Sequence, residues 1–170
     1  DYRVGELGKG FQYIAEALDI ERFTMFTFSP IRGRTELLCD YVRDTVRDGK
    51  PLKGDPVIRQ KVAQLVTECE VARLLGVRFV DAALTAGKTP TIEASEYKLY
   101  ATELSRRLAD ATMDIAGPGT QLALGTEDAP LKGRAESCYT YTVIDTIGGG
   151  SSEVQKNIIA KRKLDLPKNF

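Results

Sequence analysis

DPVIRQKVAQLVTECEVARLLGVRFVDAA, residues 55–83, decides the fold. Asp55-Pro56 is an N-cap and first-turn pair. The carboxylate can accept from the free amides of a helix start, and proline is preset for it. Beyond the pair, apolar or small residues recur at Ile58, Val62, Leu65, Cys69, Ala72, Gly76, Phe79 and Ala83. Steps of four and three residues keep them on one face of one long helix. Such a stripe must be buried against other elements, and strand alternation is essentially absent from the chain.

Working outward, a second series runs through Tyr97, Ala101, Leu104, Leu108, Ala111 and Ile115. It starts after Thr89-Pro90 and stops at Gly117-Pro118-Gly119. Upstream, Phe11 to about Asp48 reads as helix with an interruption near Pro30, and it ends at Gly49-Lys50-Pro51. A last helix runs from Ser151 to about Leu164. Lys161, Arg162 and Lys163 fall in its final turns, where cations suit the helix dipole. Residues 117–150 read as the irregular part. Three long helices and a shorter terminal one predict an all-α, antiparallel four-helix bundle.

The chain has 170 residues, enough for one domain with a proper core. Its 24 Lys and Arg balance 24 Asp and Glu, so there is no electrostatic footprint for nucleic acid. Neither a run of membrane-spanning length nor a signal-peptide pattern occurs, and no membrane insertion is expected. The three cysteines, Cys39, Cys69 and Cys138, are scattered, which argues against a disulfide framework and for a reducing, cytoplasmic compartment. Cys69 lies on the apolar face of residues 55–83 and reads as a structural thiol. The absence of histidine removes Ser-His-Asp and Cys-His pairs and most transition-metal sites, so no metal is expected. Acid–base chemistry must come from Asp, Glu, Lys, Tyr or a cofactor. The abrupt opening Asp1-Tyr2-Arg3 reads as part of a longer protein.

Gly148-Gly149-Gly150 before Ser151-Ser152 raises the functional question. An ordinary turn with a serine N-cap is one reading. The other is a ligand that comes so close to the backbone that no side chain is wanted, next to the free amides of a helix start. No Lys-Ser/Thr follows at P-loop spacing, and no parallel-strand pattern precedes the glycines as a dinucleotide fold would require.

Two segments together resemble a known family. Gly8-Lys9-Gly10-Phe11, with Leu18-Asp19-Ile20-Glu21-Arg22, is similar to the start of the C-terminal helical domain of acyl-CoA dehydrogenases. Ile147 to Gln155, then Asn157-Ile158-Ile159-Ala160, is similar to that domain's end. The resemblance implies that residues 1–170 form this C-terminal bundle, and that the family's N-terminal helical and middle β-domains are absent from the chain. It also implies an FAD-dependent oxidoreductase of lipid metabolism, which desaturates an acyl-CoA thioester between Cα and Cβ. Its partners would be the acyl-CoA, an electron-transfer acceptor, and further subunits of a homo- or hetero-oligomer, a tetramer by family habit. The cofactor would carry the redox chemistry, while the protein supplies position, a base and electrostatics.

Site residues follow from the resemblance. Many members carry the base as a glutamate at the place of Gly149. Others carry it in a Leu-Asp-x-Glu-Arg motif on the first helix, matched by Leu18 to Arg22. Glu21 is therefore the expected base, and the Gly149 N–H is expected to polarise the thioester carbonyl. A base in this role works best desolvated beside apolar surface, and Glu21 and Gly149 are expected to face one cleft. Arg22 matches the family arginine near the CoA portion. Ser151 and Glu153 match FAD-contacting positions, where the family more often has Thr and Gln.

Two departures concern FAD of a neighbouring subunit. The family's Arg-x-x-Phe-Gly appears as Thr45-Val46-Arg47-Asp48-Gly49, and its Gln-x-x-Gly-Gly as Met113-Asp114-Ile115-Ala116-Gly117. Some actinobacterial members acting on steroid or fatty acyl-CoA esters are similar, pairing unlike subunits with FAD at only some sites. The alternative to a catalytic subunit is thus a non-catalytic partner whose bundle provides an interface.

Overall fold

The computed structural model describes residues 2–25, 28–85, 87 and 89–167. The described chain is helical nearly throughout: α1 Gly10–Met25, α2 Phe28–Asp44, α3 Pro56–Thr85, α4 Thr91–Ala116, α5 Arg134–Asp145 and α6 Ser152–Arg162. Asp55 opens α3 as expected, its Oδ1 accepting from the amides of Val57 at 2.8 Å and Ile58 at 3.2 Å. The stripe it launches is the buried one: Leu65, Cys69, Ala72, Gly76 and Phe79 all face inward.

α4 is the central element, packed against α1, α2, α3, α5 and α6. That position explains its composition. Small residues, Ala94, Ser95 and Ala101, are fully buried and let neighbouring helices come close. Leu104 and Leu108 fill the space between, with Leu38 of α2 and Leu65 of α3 in the same core. Each such leucine contributes about 1.5–3 kcal/mol by leaving water.

The stretch read as helix with an interruption near Pro30 is described as two elements, α1 and α2. Residues 26 and 27 lie outside the described residues, and Pro30 sits in the first turn of α2, where its missing N–H costs nothing. α2 stops at Asp44, short of Asp48. A two-residue hairpin follows, β1 Val46–Arg47 against β2 Lys50–Pro51, turning through the left-handed Asp48 and Gly49. The last helix stops at Arg162, two residues early. The largest miss is α5, which lies inside the segment expected to be irregular. Packed on α4, it shares the bundle with the terminal α6.

Candidate active site

The glycine turn joins α5 to α6. The amides of Ile147 and Gly148 both donate to the Ile144 carbonyl, at 3.0 and 2.8 Å, which closes α5. The chain then reverses through Gly149 (φ 65°) and Gly150 (φ 98°), a left-handed pair that favours glycine. A Cβ on Gly150 would fall 2.6 Å from Gln155 Nε2, so the turn is packed from inside. Among the described residues, the Gly149 amide has no hydrogen-bond acceptor.

α1 reaches this turn through Arg22. Its Nε donates to the Gly149 carbonyl at 3.0 Å, and its Nη1 pairs with Asp19 Oδ1. Asp19 Oδ2 in turn accepts from the Thr91 hydroxyl at the start of α4. Arg22 and Asp19 are 8% and 7% exposed, so this is a buried ion pair stitched to both α4 and the glycines. Arg22, Ile14 and Leu18 line a cleft of about 710 Å³ with Thr91 of α4 and Ile158 and Arg162 of α6.

Glu21 is half-buried on the last turns of α1, and its carboxylate has no hydrogen-bond or ion-pair partner among the described residues. At about 100° per residue it lies beside Ile14 and Leu18, at the edge of the cleft-lining face. The structure thus brings the neighbouring Arg22, rather than Glu21 itself, into contact with Gly149.

The N-terminus of α6 is capped by its own residues. Ser151 Oγ accepts from the Val154 amide at 3.4 Å. The Glu153 carboxylate is held below the usual carboxylate range by its own amide and the Ser151 hydroxyl. Ser152, buried, donates to Glu103 Oε1 at 2.6 Å.

Behind the turn lies a polar seam that motif reasoning missed. Lys98 Nζ donates to the Gly150 carbonyl at 2.7 Å, and Gln155 Nε2 to the Gly149 carbonyl at 2.9 Å. Farther along α4, Arg34 donates to Ser105 Oγ at 3.0 Å, and Ser105 to Asp145 Oδ2 at 3.1 Å. Burial raises the Asp145 pKa and lowers that of Lys98. One signal for Lys98 was present. It stands four residues after Ala94 and three before Ala101, on the buried face of α4.

The two departures from the family pattern meet each other. Arg47, in the hairpin, donates through Nη2 to the Ile115 carbonyl at 2.5 Å, at the end of α4. Its charge is used inside the chain, on the negative end of that helix.

The model of the acyl-CoA dehydrogenase C-terminal domain matches residues 8–164. The chain is 28% identical over 170 residues to acyl-CoA dehydrogenase FadE26 of Mycobacterium tuberculosis, covering 98% of this chain and 42% of that protein. It is 32% identical over 164 residues to the human mitochondrial short-chain specific acyl-CoA dehydrogenase, covering 94% of this chain and 37% of that protein. Among solved structures, the ChsE4-ChsE5 complex from Mycobacterium tuberculosis superposes with a TM-score of 0.84 at 28% identity, over 99% of this chain and 43% of that one. Fold, glycine turn and family model agree on one class, the C-terminal helical domain of a flavoprotein oxidoreductase family. This chain belongs to the acyl-CoA dehydrogenases. It spans about two fifths of the length of the relatives it matches. No described helix is long and apolar enough to cross a membrane.

Proposed function

We propose that this chain is the C-terminal domain of an FAD-dependent acyl-CoA dehydrogenase, with Glu21 as the base. The carrying observation is the Arg22–Gly149 hydrogen bond, which ties the Glu21 turn of α1 to the glycine turn. Glu21 takes the α-proton of the acyl-CoA. The electrons of that C–H bond form the Cα–Cβ double bond as the β-hydrogen leaves as hydride. Oxidised FAD, when bound, supplies the hydride acceptor. The Gly149 N–H, without an acceptor among the described residues, donates to the thioester oxygen, where negative charge develops. Arg22 lines the cleft and is assigned to the substrate side, near the CoA portion.

The residues at the start of α6 fit a hydroxyl-bearing part of FAD. Ser151 offers a hydroxyl and Glu153 an acceptor, whereas a phosphate at that place would face the Glu153 carboxylate. That charge, with Arg47 turned onto Ile115 and Thr45 and Met113 in the family's Arg and Gln places, favours a second element of the proposal. The full-length protein works in an oligomer, a tetramer with an unlike partner subunit, which completes the flavin site used with Glu21. The contrasting role, a non-catalytic partner that only provides an interface, draws on the same observations.

The test uses the full-length protein purified with its partner. Acyl-CoA esters of graded length are added without oxygen, and flavin absorbance is followed. Bleaching by one class of ester is expected, with about one flavin per two chains. A flavin bleached by no acyl-CoA would sink the catalytic proposal. A fully active homotetramer with FAD in every protomer would sink only the unlike partner.

A further inference from the structure

Three donors from three helices converge on two successive carbonyls of the glycine turn. Arg22 of α1 and Gln155 of α6 donate to the Gly149 oxygen, and Lys98 of α4 to the Gly150 oxygen, with Gln155 Nε2 a further 3.4 Å from the latter. Lys98 and Gln155 have no exposed surface. Gly149 and Gly150 are both left-handed, so nothing intrinsic to their backbone fixes the turn in one shape. Its shape is imposed from the core.

We propose that Lys98 is a positioning residue for the dehydrogenation: together with Arg22 and Gln155 it pins the two peptide planes after Gly149, so that the Gly149 N–H keeps its aim at the thioester oxygen. This rests on the assignment of the chain as a catalytic dehydrogenase domain. An oxyanion donor acts by being already oriented when charge develops, and a small loss of aim costs rate rather than binding. The Gly149 carbonyl has Arg22 and Gln155. The Gly150 carbonyl depends on Lys98, because Gln155 is at the limit of reach. Lys98 is also an inefficient choice for stability alone. Burial disfavours its charge, which Asp145, Glu103 and Glu153 support and Arg22 opposes.

The experiment is Lys98→Met in the full-length protein with its partner and FAD. The variant should keep flavin content and KM close to wild type, with a lower thermal midpoint because the Gly150 carbonyl loses its buried donor. Its kcat should fall about 100-fold. Amide hydrogen exchange of residues 146–151 should quicken while that of α3 stays unchanged, a readout independent of turnover. Lys98→Arg, which restores a cationic donor, should recover at least about a tenth of wild-type kcat. Unchanged exchange in the turn, or faster exchange with normal kcat, overturns the proposal. Should Lys98→Met not fold, Gln155→Met, which leaves Arg22 on the Gly149 carbonyl, should quicken exchange in the same residues with a smaller fall in kcat, and unchanged exchange there overturns the proposal. A wild-type flavin that no acyl-CoA bleaches defeats the dehydrogenase assignment instead, and is told apart because it needs no variant.

Discussion

At the scale of single residues, the site is a problem of buried charge. Asp145 sits 6% exposed beside Ser105, Arg34 and Lys98, and burial raises its pKa above the ordinary carboxylate value. A carboxyl whose folded pKa is raised favours the protonated form in the folded state. Its contribution to stability is full below the unfolded pKa of about 3.9 and is lost as pH rises through the folded value. Asp145→Asn removes this loss and keeps an acceptor for Ser105. The stability of the variant relative to wild type should therefore climb as pH rises from about 4 toward neutrality. Urea midpoints across that range check it, and a pH-independent difference would contradict it. What was legible at this scale follows the same chemistry. Leu18 to Arg22 and Gly148 to Ser152 stand in compact motifs, so their special backbone and charge show in the sequence. Lys98 and Asp145 are scattered single residues whose meaning comes only from what folds against them, and Gln155, although it closes the Ile147–Gln155 stretch, shows its bond to the Gly149 carbonyl only in the fold.

Among the elements, α4 and α5 mark the two extremes of legibility. α3 and α4 bury long regular stripes, and both were read nearly to their ends. Where they meet, Ala72 and Ala101 have no exposed surface at all. Ala101→Leu should lower stability by about 1–3 kcal/mol through overpacking, seen as a lower thermal midpoint of the full-length protein with the glycine-turn chemistry intact. A midpoint at or above wild type would show slack in that contact. α5, RAESCYTYTVID, gave no such signal. It is rich in β-branched and aromatic residues of modest helix propensity, and its N-cap is the left-handed Gly133, without a side-chain cap bond. Its buried positions are Ala135, Thr142 and Asp145, while Tyr139, Tyr141, Val143 and Ile144 are exposed. The helix is built on a polar seam with its apolar side outward, the inverse of the pattern that periodicity detects.

For the whole molecule, the outward apolar residues point to assembly. On α3, Val66, Val71, Leu74, Val77, Val80 and Leu84 are all exposed in the isolated chain, at spacings that keep them near one another. Bundle helices with such a face are suited to pack against other subunits. The described cleft is lined by Arg22, the residue next to Glu21, and the proposal makes this domain one wall of a site that other parts of the full-length protein complete. The central claim is that Glu21 performs the proton abstraction there. The most direct measurement is dye-coupled acyl-CoA oxidation by the full-length protein with its partner, comparing wild type with Glu21→Gln at equal flavin content. The change removes the proton acceptor and keeps size, so turnover should fall about 1,000-fold while FAD stays bound. Turnover within a few-fold of wild type would contradict the assignment of Glu21 as the base.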